Sequence, residues 1–329
     1  MKKALITGGA GFIGYHLGRS LLESYDVIHL IDNFSRGVRD DGLLELTRHK
    51  GVDLLDLDLL DIGALEKLAK DYDVIFHLAA IIGVQHVLRV PYDVLTKNVR
   101  LLQNMIELGK RQSHLRRLVF ASTSEVYAGT LKQFSLTIPT PEDVPLALTD
   151  IRQKRTSYML SKIYGEAMCL HSPLPVTIVR PHNFYGPRMG LSHVIPELCA
   201  KAFNSTDDKL DVFSITHKRT FCYIDDAVEM IVRLSESERA VGEAFNVGRE
   251  APEVSIEEVA REVIRVVGKP LTICPQPETE GSPKRRCPKM SKTMAVAGCE
   301  PQVDLDEGIR RTFEWYKENV FVKRGLTAV

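Results

Sequence analysis

The run Lys3-Ala4-Leu5-Ile6-Thr7-Gly8-Gly9-Ala10-Gly11-Phe12-Ile13-Gly14, continued by Tyr15-His16-Leu17-Gly18-Arg19-Ser20-Leu21-Leu22, decides the fold. An apolar pentapeptide meets a glycine-rich turn with no spacer, and Leu17, Leu21 and Leu22 then share one helical face. A second apolar run, Val27 to Ile31, ends on Asp32. Strand, glycine turn, helix, strand and acid together make the context of a dinucleotide fingerprint. In that pattern Gly11 lets backbone amides approach a pyrophosphate, and Gly14 lets the helix pack close to the strand. The phosphates sit at the helix N-terminus, where unpaired N–H groups and the dipole favour anions. Asp32 can accept hydrogen bonds from the adenosine ribose and would repel a 2′-phosphate, which favours NAD over NADP. Arg36, nearby, works slightly against that choice.

The chain has 329 residues, enough for one large domain or two intimate ones. A hydrophobic content of 44% and a charged content of 26% are ordinary for a globular protein. Lys+Arg and Asp+Glu both total 43, so there is no basic field for nucleic acid and no acidic tail. The N-terminus enters a strand at once, so no signal peptide is expected, and no apolar run reaches membrane-span length. Six cysteines are scattered without a Cys-x-x-Cys pair, which suits reduced thiols in a cytoplasm. The ten histidines are also dispersed, and no metal site is expected.

Beyond Asp32 the chain is polar to Gly51, with a short helix expected around Leu43-Leu44-Glu45-Leu46. Further strands are expected at Val52 to Leu57, Asp73 to His77, Arg117 to Ala121 and Pro175 to Arg180. Helices are expected at Asp61 to Lys70 and Asn98 to Gly109, and Tyr158-Met159-Leu160-Ser161-Lys162 opens another. Asp58, after the third strand, faces the adenine or caps the Asp61 helix. Leu78-Ala79-Ala80 leaves the fourth strand with small residues suited to a backbone beside the cofactor. This alternation argues for an α/β fold with a Rossmann-type, doubly wound parallel sheet. Ala128 to Arg155 is a long, proline-punctuated stretch of the kind that forms functional covers.

After Arg180 the alternation fades. Short helices are expected at Val194 to Phe203 and Ile224 to Leu234, with one more strand at Ala244 to Val247. Ser255-Ile256-Glu257-Glu258 is a capping box opening a helix with Val259, Val263 and Val266 inward. Leu305 to Glu318 is another amphipathic helix. The expected organisation is a cofactor domain over 1–180, rejoined around 220–247, and a smaller mixed α/β substrate domain over 181–329, interleaved with it.

Thr123, Tyr158 and Lys162 make a coherent oxidation site. A hydroxyl that loses a hydride from its carbon must also lose a proton, so a base is needed beside the nicotinamide. Tyrosine, with a pKa of about 10, is a poor base at neutral pH. Lys162, one helical turn from Tyr158, together with the positive nicotinamide ring, is expected to stabilise the phenolate. Thr123 can orient the same substrate oxygen.

These motifs resemble the extended short-chain dehydrogenase/reductase family, the NAD-dependent nucleotide-sugar epimerases, dehydratases and decarboxylases. The resemblance rests on Thr7 to Gly14, Asp32-Asn33, His77-Leu78-Ala79-Ala80, Tyr158 with Lys162, and Arg180-Pro181-His182-Asn183-Phe184-Tyr185-Gly186-Pro187-Arg188. It continues through Arg219-Thr220-Phe221-Cys222-Tyr223-Ile224-Asp225-Asp226 and Phe245-Asn246-Val247-Gly248. It implies that NAD is held by Gly8, Gly11, Phe12, Ile13, Gly14, Asp32, Asn33, Asp58, Leu59, Ala79, Ala80, Asn98, Tyr158 and Lys162. It implies that Thr123, Tyr158 and Lys162 oxidise the substrate, and that Asn183, Arg219 and Arg286 hold the diphosphate of a nucleotide sugar, with Ser124 beside the sugar. Two arginines and an amide are a sensible anion clamp in a chain of zero net charge. Family members are commonly dimers through the helices flanking Asn98 and Tyr158, so a homodimer is expected.

Within the family, Ala121-Ser122-Thr123-Ser124-Glu125-Val126-Tyr127 and Pro283-Lys284-Arg285-Arg286-Cys287-Pro288 are similar to UDP-glucuronate decarboxylases. Epimerisation at C4 needs no acid or base beyond the oxidising set. Dehydration needs a base for C5 and an acid for the leaving hydroxyl, whereas decarboxylation needs a group that assists loss of CO2 and handles the enolate's proton. Glu125 could fill either role. Two features pull the other way. The segment Ile81-Ile82-Gly83-Val84-Gln85-His86-Val87 looks more like epimerases, and Ser124 stands where many 4,6-dehydratases place an aspartate. Elimination of water or CO2 is the expected reaction, with 4-epimerisation the alternative.

Overall fold

In the computed structural model, residues 1–134, 136–279 and 282–322 are described, and for 84 and 85 the backbone alone. Seven parallel strands form the central sheet: β1 (Lys3–Thr7), β2 (Val27–Asp32), β3 (Val52–Asp56), β4 (Val74–His77), β5 (Arg117–Ala121), β6 (Val176–Pro181) and β7 (Glu243–Val247). Their order is β7-β6-β5-β4-β1-β2-β3, so the winding reverses between β1 and β4. Ala4 and Ile6 belong to one hydrophobic cluster and Leu5 to the other, so both faces of β1 are covered. A strand buried on both sides must read as a continuous apolar run, which is why these segments lack polar alternation. In open sheets of this kind ligands gather beyond the carboxyl ends of the strands, at the reversal point.

Helix α1 (Phe12–Ser20) follows the glycine turn, α2 (Pro91–Lys110) carries Asn98, and α3 (Thr156–Leu170) carries Tyr158 and Lys162. Both α2 and α3 cover the face that buries Leu5, Ile75, Leu118 and Ile178. The strand at Glu243–Val247 pairs with β6 in parallel, so the chain does rejoin the main sheet. The capping box is present, with Ser255 and Glu258 exchanging bonds at the start of the helix Ile256–Val267.

Several local expectations need correction. Helix α1 ends at Ser20, leaving Leu21 as its cap and Leu22 beyond it. The helix expected over 61–70 spans only Ile62–Leu65, because Lys67 and Leu68 close back by three residues instead of four. Its cap is Asp61, and Asp58 instead accepts a bond from the Leu60 amide at 2.9 Å. The long cover contains a helix at Ala128–Gln133, preceded by a 3-10 turn at Ser124–Tyr127. Residue 135 of that cover, and 280–281 and 323–329 of the second half, lie outside the described residues.

Small sheets replace the irregular segments expected after β6. Lys218–Arg219 pairs with both Val254–Ser255 and Arg285–Arg286, and Lys209–Phe213 pairs with Thr272–Gln276. The pairing of Arg219 with Arg286 brings two distant cations side by side over the sheet's ligand-binding end. No helix among the described residues is long and apolar enough to cross a membrane.

Candidate active site

The glycine turn has the shape the sequence implied. Gly8 adopts φ +72°, and a Cβ on Gly14 would lie 2.2 Å from the Gly8 carbonyl oxygen, so neither position tolerates a side chain. Helix α1 starts after Gly11 with no side-chain cap, leaving its first turn to an anion. Asp32 accepts bonds from the Ala10 amide (3.1 Å) and the Phe34 amide (2.9 Å), which fix its carboxylate beside the turn. Burial raises its pKa, and these two bonds oppose the rise. Arg36 reaches away, donating to the Ile82 carbonyl at 2.8 Å, and Arg39 pairs with Asp56 at 2.6 Å. Neither of these arginine bonds is made to Asp32.

On the opposite side, Thr7 Oγ1 accepts from the Leu78 and Ala79 amides, both at 3.2 Å, drawing Ala79 against Gly8. Asn98 does not reach outward: its amide accepts from Ile81 N (2.7 Å) and donates to Ile81 O (3.2 Å) and Ser161 Oγ (3.3 Å). It shapes the loop beside Ala80. Leu59 is buried and Asp58 exposed on the far rim, while Asn33 caps its own turn at Ser35. The residues present fit a dinucleotide: a side-chain-free turn, an uncapped helix start and a fixed ribose acceptor.

Thr123, Tyr158 and Lys162 converge beyond β5. Thr123 lies just beyond β5, where its hydroxyl accepts from the Glu125 amide at 3.2 Å and is near enough to the Tyr158 phenol to favour its ionised form. Lys162 is buried, donates to Ala121 O at 2.6 Å, and lies 6.0 Å from the centre of the Tyr158 ring. Burial lowers the Lys162 pKa to about 8. The depression expected of Tyr158 rests on Lys162 together with the positive nicotinamide ring, and the protein's own surroundings act against it. Burial raises its pKa, the Glu125 charge adds to the rise, and the Thr123 hydroxyl and Arg36 oppose it. Lys162 gives one of its three N–H donors to a carbonyl, and the phenolate depends on further positive charge.

Glu125 is where the sequence placed it, with partners the sequence did not reveal. Arg286 Nη2 donates to it at 2.8 Å, and Arg155 lies 3.9 Å away. The Arg286 charge holds the Glu125 carboxyl below its ordinary range, against burial, with Arg155 and Arg219 contributing. Arg286 Nη1 also donates to Ser124 Oγ at 3.3 Å, and its buried Nε has no hydrogen-bond partner among the described residues. Arg219 is committed to the segment before Arg286, donating to Lys218 O, Lys284 O, Ser282 Oγ and Pro283 O. Asn183, at φ +44°, donates to Thr220 O at 2.9 Å. Arg155 escaped the sequence reading, although its place three residues before Tyr158 puts it on the same side of the helix start.

The model of the NAD dependent epimerase/dehydratase family matches residues 4–248. The chain belongs to that family, and it is an NAD-dependent enzyme of the epimerase/dehydratase type. It is 32% identical over 329 residues to UDP-N-acetyl-alpha-D-glucosaminuronate decarboxylase of Bacillus cytotoxicus, covering 96% of this chain and 98% of the relative. An epimerase from Methanothermobacter thermautotrophicus superposes with a TM-score of 0.86 at 25% identity, covering 98% and 94% of the two chains. UDP-glucuronic acid 4-epimerase from Bacillus cereus, solved with UDP-glucuronic acid and NAD, gives 0.80 at 26% identity, covering 96% and 99%.

Proposed function

We propose that this enzyme oxidises C4 of a nucleotide-linked hexuronic acid and decarboxylates the β-keto acid so formed, within one catalytic cycle. The observation that carries this reading is Glu125 held ionised between Arg286 and Arg155, beside Thr123 and Tyr158. With Arg219 close by, three cations surround one carboxylate, so the pocket can take further negative charge. A uronate carboxylate and a diphosphate supply it, and a neutral sugar supplies only the second.

Loss of water would need an acid for the departing hydroxyl. Ser124 stands where many, though not all, 4,6-dehydratases place an aspartate, its hydroxyl accepts from Arg286, and Glu125 is kept deprotonated. Loss of CO2 needs no such acid. Tyr158 takes the C4 hydroxyl proton, with Thr123 orienting that oxygen. The chemistry NAD supplies is acceptance and return of the C4 hydride. As the C5–C6 bond breaks, its electron pair moves into the C4 carbonyl and the oxygen is held by the Thr123 and Tyr158 hydroxyls. The proton that returns to C5 comes from solvent, through a water that the Glu125 carboxylate orients.

A 4-epimerase of the same substrate class is the second reading, favoured by the Ile81 to Val87 segment and by the cationic pocket, which would serve it equally. A UDP linkage is the reading the named relatives support. A homodimer is proposed through α2 and α3, where Tyr92 and Tyr164 are exposed. Six free thiols support a cytoplasmic setting. The substrate class is tested by comparing kcat/KM for UDP-glucuronate, UDP-N-acetylglucosaminuronate and UDP-glucose. The uronates are expected to be consumed and UDP-glucose ignored; equal turnover of the neutral sugar would overturn the reading.

A further inference from the structure

Glu125 and Arg286 stand 161 positions apart in sequence, and something must hold them together. Arg286 lies on a two-residue strand, and Cys287, Pro288 and Lys289 follow it. That segment is tied to the cover: Thr140 N donates to Cys287 O and Lys289 N donates to Thr140 O, both at 2.9 Å. Behind both lies Asn246, on β7, with no exposed surface.

All the bonding capacity of this amide is used. Its Nδ2 donates to Thr140 O at 3.0 Å and to Lys289 O at 3.4 Å. Its Oδ1 accepts from the Tyr127 hydroxyl at 2.8 Å and faces His182 Nε2 at 3.0 Å. An amide oxygen only accepts, so the His182 proton resides on Nε2. Tyr127 belongs to the same 3-10 turn as Glu125. It accepts from Arg180 at 2.6 Å, and Arg180 is locked in a buried pair with Glu166 at 2.9 and 2.7 Å. Glu142, on the cover, accepts from Asn246 N at 2.9 Å, and its carbonyl accepts from Arg180 at 3.0 Å.

We propose that Asn246 is a positioning residue that fixes Arg286 against Glu125. One side chain grips the turn that carries Glu125, the cover loop, and the segment that follows Arg286. Asn246 touches neither member of the pair, so it acts through Tyr127, Thr140 and Lys289. This inference rests on the proposed role of the Glu125–Arg286 pair.

The test is Asn246→Asp, which keeps the shape and turns two donors into acceptors facing two carbonyls. Tyr127→Phe is the milder variant, removing one bond and leaving the ring. The groups facing Glu125 are Arg286, Arg155, Arg219 and Tyr158. Of these four, only Arg286 adjoins a segment that Asn246 grips, so loosening that grip weakens the dominant cation on Glu125. Expected are a fall in kcat of about tenfold to a hundredfold for Asn246→Asp, and an upward shift in the acid limb of the kcat profile. A smaller shift of the same sign is expected for Tyr127→Phe. NAD affinity, measured by calorimetry, should stay within about twofold of the parent, because the glycine turn is remote from Asn246. Loss of kcat with an unmoved acid limb, or parental kcat in both variants, would overturn the proposal. If Asn246→Asp does not bind NAD, Tyr127→Phe alone decides. Arg286→Gln separates the layers: an acid limb unmoved there sinks the underlying reading, whereas a limb moved there but not in the Tyr127 and Asn246 variants sinks only this one.

Discussion

Replacing Glu125 by glutamine removes one charge and keeps the side chain's shape, so it isolates the carboxylate. The structure sets the scale. At an effective dielectric near 20, opposite charges about 4 Å apart attract by about 4 kcal/mol, and desolvation cancels part of this. Glu125 keeps 29% of its side chain exposed and Arg286 keeps 14%, which lowers the net value to about 1–3 kcal/mol. The variant should therefore fold, with Arg286 still bonding to the amide oxygen. Thr123, Tyr158 and Lys162 are untouched, so oxidation at C4 proceeds. The step that needs the carboxylate should slow by about a hundredfold or more, within the usual range for positioned acid–base groups. The assay is rapid quenching after mixing with UDP-glucuronate, read by mass spectrometry. A 4-keto sugar, as the keto acid or its decarboxylated ketone, should accumulate together with NADH while the reduced, decarboxylated product falls. Product formation within several-fold of the parent, without accumulation of the ketone, would refute the role given to Glu125.

Tyr158→Phe should retain NAD binding by calorimetry and lose at least about a hundredfold in kcat, because it removes the proton acceptor; near-normal turnover would remove Tyr158 from the chemistry. Asp32→Ala should weaken NAD and relax its preference over NADP in paired titrations, and unchanged affinities would reduce Asp32 to a strand-end residue. Arg286→Gln should move the acid limb of the kcat profile upward, and an unmoved limb would remove Arg286 as the group that holds Glu125 ionised. The arginine holds the Glu125 carboxyl below its ordinary range, and without it protonation begins at higher pH.

The fold was legible because its signals are local. A glycine turn between apolar runs, and strands buried on both faces, are written in contiguous residues. The rejoining strand at Glu243–Val247 was readable for the same reason. The helix over 61–70 was overextended because apolar spacing continues past Leu65, while the backbone tightens there into three-residue turns. The helix at Ala128–Gln133 was hidden by its small and polar residues. At the site, Glu125 and Arg286 were each readable from motifs, but their pairing was not, since it depends on two short strands and on Asn246 beneath them. The expectation that Arg286 and Arg219 hold a diphosphate is a reading of motifs; the bonds of Arg219 to backbone carbonyls and of Arg286 to Glu125 were not legible there. The commitment of Lys162 to Ala121 O was equally beyond a helical-spacing argument.

The most direct test of the central claim is the mass of the product formed from a single nucleotide hexuronate. Incubation of the parent enzyme with UDP-N-acetylglucosaminuronate or UDP-glucuronate, with NAD present, should yield a nucleotide sugar lighter by the mass of CO2. The nucleotide diphosphate and the total nicotinamide should be unchanged. A product of unaltered mass at a new retention time would contradict decarboxylation and establish 4-epimerisation, and a product lighter by one water would contradict the assignment of Ser124 and Glu125.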